Sequence, residues 1–227
     1  MRWRIIESQL TKMIKRLIVI FTTIAFAFLI LFISVLRSAS VRHSFSNIYA
    51  DYTKEEIQRE SEEIGGIEID YYFAHPGSVL PNHPLWPVKA LRDKIWLFVT
   101  TDPIKKAELN LLFADKRLGS AKILFEKDNP ELGYTTLTKS QKYFEKACRI
   151  EQNSREAGLN TDELIRRLTL AALKHRQAIK QIEFLAPEDA KPKINEIENY
   201  AKTAYNEKAM LLSREGKPVP KNPFNGE

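Results

Sequence analysis

Residues 102–130 read DPIKKAELNLLFADKRLGSAKILFEKDNP. Asp102 is a helix N-cap residue type and Pro103 suits the first helical position, where its missing N–H is not needed. Behind them Ala107, Leu111, Ala114, Leu118, Ala121 and Phe125 recur at intervals of 4, 3, 4, 3 and 4. That spacing places one apolar stripe along an α-helix, facing a core or a partner helix. Asn129-Pro130 repeats the start signal. A further long helix is predicted behind it, with Leu137, Phe144, Ala147 and Ile150 on one side.

Further along, Asn160-Thr161-Asp162-Glu163 has the form of a capping box. The helix after it carries Leu164, Leu168, Ala171, His175, Ile179, Ile182 and Leu185 on one face. Pro187 is read as the start of a last helix with Ile194, Ile197, Ala201, Ala204 and Leu211 inward, ending near Gly216. Residues 159–215 are expected to form a C-terminal helical hairpin. The proline-rich tail, 216–227, is expected to be disordered. Short loops between long helices imply antiparallel neighbours. With only 8 glycines in 227 residues, the fold class is all-α: an antiparallel helical bundle.

Upstream, residues 75–87 read HPGSVLPNHPLWP. Four prolines in this stretch exclude helix interior and central strand, and each favours extended geometry before it. Val79, Leu80, Leu85 and Trp86 give the segment something to bury, so an ordered extended arm on the helices is expected. Pro87 then opens a helix running to Val99. The whole helical domain with its arm is placed at residues 70–158. Ile67 to Phe73 alternates apolar and polar residues, as an extended segment does. A short helix from Asp51 to about Ile64, closed by Gly65-Gly66, lies within a polar stalk at 37–69.

Leu17 to Leu36 reads LIVIFTTIAFAFLILFISVL, without a charge. Twenty residues at about 1.5 Å rise span about 30 Å, the hydrocarbon thickness of a bilayer. A single transmembrane helix at 17–36 is expected, with the lipid bilayer as its partner. Residues 1–16 carry five basic side chains, which places the N-terminus in the cytoplasm and the rest outside the cell membrane. The competing reading is a cleaved signal peptide, whose apolar region is about 7–15 residues long and precedes a small-x-small site such as Ser38-Ala39-Ser40.

The formal net charge of +6 does not point to nucleic acid. Residues 1–37 hold six basic side chains and one acid, leaving 29 basic and 28 acidic residues in the remainder. The excess belongs to the anchor, and no stripe of interleaved basic and aromatic residues follows. Cys148 is the only cysteine, so neither an internal disulfide nor a thiolate cluster is available.

Residues 70–147 resemble an uncharacterised bacterial family, a domain of unknown function in membrane-anchored or exported helical proteins. The resemblance rests on Pro76-Gly77, Leu80-Pro81, His83-Pro84-Leu85, Lys89 to Asp93, Asp102-Pro103, Lys105 to Leu109, Ala114 to Leu118 and Tyr143 to Ala147. An aromatic residue usually precedes the Pro-Gly pair in that family; here His75 stands there. The resemblance implies export and a helical fold, and it implies no activity.

Few residues suggest chemistry. His75 and His83, with Asp70, Asp93 or Glu108, are candidate zinc ligands by donor type, in a spacing that matches no standard motif. The alternative is that His83 hydrogen-bonds to position the arm. Arg92-Asp93, Asp102, Glu108 and Asp115-Lys116-Arg117 offer either acid–base carboxylates or buried pairs fixing the arm. His175, on an apolar stripe, is read as a structural histidine. Trp86, Trp96, Tyr71, Tyr72 and Phe73 either line a groove or fill the core. No nucleophile motif or phosphate loop accompanies them. The expected role is therefore an extracytoplasmic interaction module, not an enzyme, with no cofactor and no metal. Its partner would be an envelope protein or a second copy. The rival is an exported metal-dependent hydrolase using His75 and His83. A sensor is disfavoured because 16 cytoplasmic residues are too few to fold alone.

Overall fold

Proline and a side-chain oxygen just ahead of it write two of the helix starts as expected. Asp102 accepts from the Lys105 N–H at 2.9 Å, and Asn129 accepts from the Leu132 N–H at 3.4 Å. Each satisfies one of the orphan donors of a first turn. The structure, a computed structural model, describes residues 12–27, 43–46, 48 and 54–224. It divides into two units, Met1–Arg42 and His43–Glu227.

In the first unit, residues 12–27 are helical (α1). The hydroxyls of Thr22 and Thr23 donate back to the Val19 carbonyl, so the apolar stretch carries no loose donor there. The predicted transmembrane segment runs to residue 36, and its residues 28–36 lie outside the described residues. Among the described residues no helix is long and apolar enough to cross a membrane.

The second unit holds α2 (Lys54–Gly65), α3 (Trp86–Val99), α4 (Pro103–Glu126), α5 (Pro130–Glu156), α6 (Asp162–Leu185) and α7 (Lys191–Arg214). All regular structure among the described residues is helical. Contacts define the arrangement. Ser140 donates to the Ala114 carbonyl, Tyr143 packs edge-on to Phe113, and Gly133 meets Phe125, so α4 and α5 run antiparallel. Arg167 with Glu108, His175 with Asp115 and Lys122 with Gln181 advance together, so α4 and α6 run parallel. Phe144 with Tyr200 and Glu151 with Lys208 give α5 and α7 the same relation. Two helical hairpins thus lie side by side in the same sense.

The stripe Ala107, Leu111, Ala114, Leu118, Ala121 and Phe125 is fully inward, as its spacing requires. One core cluster gathers Leu118, Phe125, Leu137, Ile179, Ile182 and Ile194. A second gathers Leu111, Phe144, Leu164, Leu168, Ala204 and Phe224. Because both clusters take residues from all four long helices, α6 and α7 share the common core instead of forming a separate hairpin.

Other expectations shift. Thr161, not Asn160, is the N-cap of α6, and its hydroxyl donates to Glu151 instead of closing a capping box. Pro187 begins a turn, and α7 starts at Lys191 with Pro192 in its first turn. Near its end Leu212 is buried and Leu211 only half-buried. Pro87 sits in the first turn of α3, which opens one residue earlier, at Trp86.

Two segments expected to hang free are packed. Phe45 is buried edge-on to Tyr134 of α5 with Lys193 of α7 over its ring, the Ser46 N–H donates to Asp189 at 2.7 Å, and the Glu188 N–H donates to the Ile48 carbonyl at 2.9 Å. The Gln177 amide of α6 donates to the carbonyls of Ile64 and Ile67, closing the end of α2. Much of the region read as stalk is therefore part of the body. The tail is ordered through Phe224, which is buried between Arg176 and Lys180, while the Tyr205 hydroxyl donates to the Pro220 carbonyl at 2.7 Å. One aromatic anchor outweighs the proline-rich composition, because prolines have little freedom to lose on docking. Residues 225–227 lie outside the described residues.

Candidate functional site

The arm begins at Ile67, earlier than the proline run. Ile67, Ile69, Tyr71 and Phe73 turn toward the helices while Glu68, Asp70 and Tyr72 face out, the period of an extended chain. Pro76 is buried against Gly119, where an added Cβ would lie 3.1 Å from the proline ring, so a side chain there would require the arm to shift slightly. The Lys89 amine then donates to the carbonyls of Pro76 and Val79 at 2.8 and 2.9 Å. Burial pulls this amine below the ordinary lysine range, with the carboxylate of Asp93 opposing that shift.

Deeper in, Asp115 accepts from the Tyr71 hydroxyl at 2.8 Å and pairs with His175 Nε2 at 2.8 Å. A carboxylate acceptor there requires the proton on Nε2. Burial, reinforced by Asp115, pushes the Tyr71 hydroxyl far above the ordinary tyrosine range, so it remains a donor. Asp115 thus fixes the arm to α4 and α6, and the His175 ring lies tilted against Phe144, 4.7 Å between centroids.

Asp93, 2% exposed, accepts from Arg92 at 2.7 Å and lies 3.6 Å from Arg117. Arg117, 5% exposed, rests 4.4 Å from the Tyr143 ring and 5.7 Å from those of Trp86 and Phe113. This cation in an aromatic cage locks the inner face of α3 to α4 and α5. Glu151 accepts from Lys208, Thr161 and Arg155. The buried carboxylates of Asp93, Asp115 and Glu151 thus each face donors that belong to the scaffold.

The histidines of the arm do not converge on a site. Both are exposed, and each uses Nδ1 to accept a backbone N–H two residues on, Gly77 for His75 at 3.0 Å and Leu85 for His83 at 3.1 Å. Among the described residues no three His, Cys, Asp or Glu side chains are grouped to hold a metal ion. Asp102 caps α4, and Glu108 pairs with Arg167. The Cys148 thiol is half-buried, and burial pushes it up to about 12, well away from a reactive thiolate.

What remains is the outer face of α3. Its inner side is Trp86, Lys89, Ala90, Asp93 and Leu97. Its outer side is Val88, Leu91, Ile95, Trp96, Phe98 and Val99, with Val88 66%, Phe98 86% and Val99 61% exposed. The helix turns Asp93, Leu97 and the half-buried Lys89 inward and presents most of its apolar residues to the surroundings. On ideal helical geometry the outer stripe covers about 160° of the circumference. Scattered exposed apolar residues are ordinary, whereas these six gather on one side of a single helix. Of the aromatic candidates, Tyr71, Phe73 and Trp86 are packed on the body, while Trp96 and Tyr72 point outward. The stripe was legible as Val88, Leu91, Ile95 and Phe98 at spacings of 3, 4 and 3, but nothing in that spacing says which side faces solvent.

Residues 78–189 match the model of a family described as Domain of unknown function (DUF5667). The match begins in the arm and runs through α3, α4, α5 and α6 to the turn before α7, so it contains the apolar face. No curated protein and no solved structure matches the chain.

Proposed function

We propose that this chain is a membrane-anchored helical interaction module that acts by contact, not catalysis, on the outer side of a cell membrane. The observation that carries the reading is the apolar outer face of α3, held rigid from behind by Asp93 and Arg117. A rigid helix with an apolar stripe is a common way of meeting a partner. The anchor is supported by the uncharged run from Leu17 to Leu36 and by five basic side chains ahead of it.

Two experiments test the two halves. For the contact half, a photoreactive amino acid is placed in cells at Phe98 and, as a control, at Lys127 in the exposed α4–α5 turn. Discrete adducts from Phe98 and none from Lys127 are expected; an equal absence from both sites would overturn the interaction reading. For the anchor half, alkaline carbonate extraction is expected to leave the full chain with the membrane, and external protease is expected to digest residues beyond 43. Release of the protein by carbonate would refute the anchor.

A further inference from the structure

We infer that the occupant of the α3 outer face is an anionic lipid bilayer surface, so that the chain meets its membrane twice. The inference rests on the anchor reading above and deepens it.

Three observations choose this occupant. First, between Tyr71 and Thr101 the sole acidic residue is Asp93, which is buried and bonded to Arg92. Lys94 borders one edge of the apolar stripe, Arg92 lies within it between Val99 and Trp96, and Lys105 and Lys106 follow at the start of α4. Apolar residues rich in Trp and Phe, accompanied by cations and free of exposed carboxylates, are the chemistry of an interfacial helix. Second, the same cations disfavour a second copy, because face-to-face α3 helices would set Arg92 and Lys94 against like charges. The stripe is also broader than the two-position seam of a coiled coil. Third, residues 37–42 are all that separates the apolar run from His43. Six residues reach at most about 20 Å even fully extended. A tether that short keeps the body at a high effective concentration over the bilayer, so a weak second contact becomes populated.

The test uses the full-length chain reconstituted in vesicles of phosphatidylcholine and phosphatidylglycerol. An environment-sensitive fluorophore is attached at Phe98→Cys or at Lys127→Cys, each in a Cys148→Ala background. Quenching by acyl-brominated lipid with loss of acrylamide access is expected at Phe98 and not at Lys127. Adding Leu91→Glu and Ile95→Glu, both at exposed positions, is expected to restore acrylamide access at Phe98 with an unchanged circular dichroism spectrum. Equal acrylamide access at both probes would overturn the inference. Shielding of Phe98 in native membranes but not in pure lipid would also overturn it, while leaving the interaction module standing with a protein occupant. Exposure in both settings would sink both readings. Quenching as strong in phosphatidylcholine alone would remove the requirement for anionic lipid.

Discussion

α3 and α4 are neighbours in sequence, separated by Thr100, Thr101 and Asp102, and both carry apolar residues at helical spacing. α4 turns its stripe inward, and every member of it is buried. α3 turns its stripe outward, with Asp93 buried and Lys89 half-buried on its inner side. A periodic apolar stripe therefore identifies a helix and its sticky side, but not what covers that side. In α4 the cover is the same chain. In α3 the described residues leave that side exposed.

That contrast can be broken or sharpened by measurement. Phe113→Ala removes a fully buried ring of α4 and is expected to destabilise the protein by about 3–5 kcal/mol, read by urea denaturation in detergent. Asp115→Ala is expected to remove about 2–3 kcal/mol, because Tyr71 and His175 lose their buried acceptor. Its companion signature is faster proteolysis of the arm between Ile67 and Leu80.

The inward-facing thiol offers a pH test. Folding raises the Cys148 pKa from 9.0 to about 12. A raised folded value means that the stabilisation is fully present below pH 9 and is lost as pH rises toward 12. Between pH 8 and pH 11 the loss is expected to be about 2–3 kcal/mol. Denaturation midpoints should fall over that range, less so in Cys148→Ala. Asp102→Ala, which uncaps α4, is expected to lower stability by about 1 kcal/mol in the same assay. Leu91→Ala and Phe98→Ala on α3 are expected to stay within about 0.5 kcal/mol of the parent in detergent. A loss of 2 kcal/mol or more at either position would show that the chain itself covers this face, and the contrast with α4 would collapse.

The long helices were legible because caps and stripes are local: Asp102, Asn129 and the 4-3-4-3-4 pattern fix where α4 and α5 start and which way they face. Pairings across the fold were not. Nothing local connects Glu151 to Lys208, 57 residues apart, or Tyr71 to Asp115. The capping box at 160–163 failed for the same reason, since a distant carboxylate, Glu151, held the Thr161 hydroxyl. Phe45 and Phe224 were obscured by polar and proline-rich surroundings, although one aromatic ring in such a stretch is a signal for docking. For the site, the residues of α3 were readable, and their outward direction was not. The histidines drew attention by chemical type alone, and the structure gives each a local backbone bond.

The docking of residues 43–46 and 48 onto the α6–α7 turn has a mechanical side. Any tension entering the body from its N-terminal connection arrives at Phe45, at the Ser46–Asp189 bond and at the Ile48–Glu188 bond. Load taken there passes to the corner between two long helices, α6 and α7, and the Gln177 clamp on the end of α2 is the next attachment along the chain.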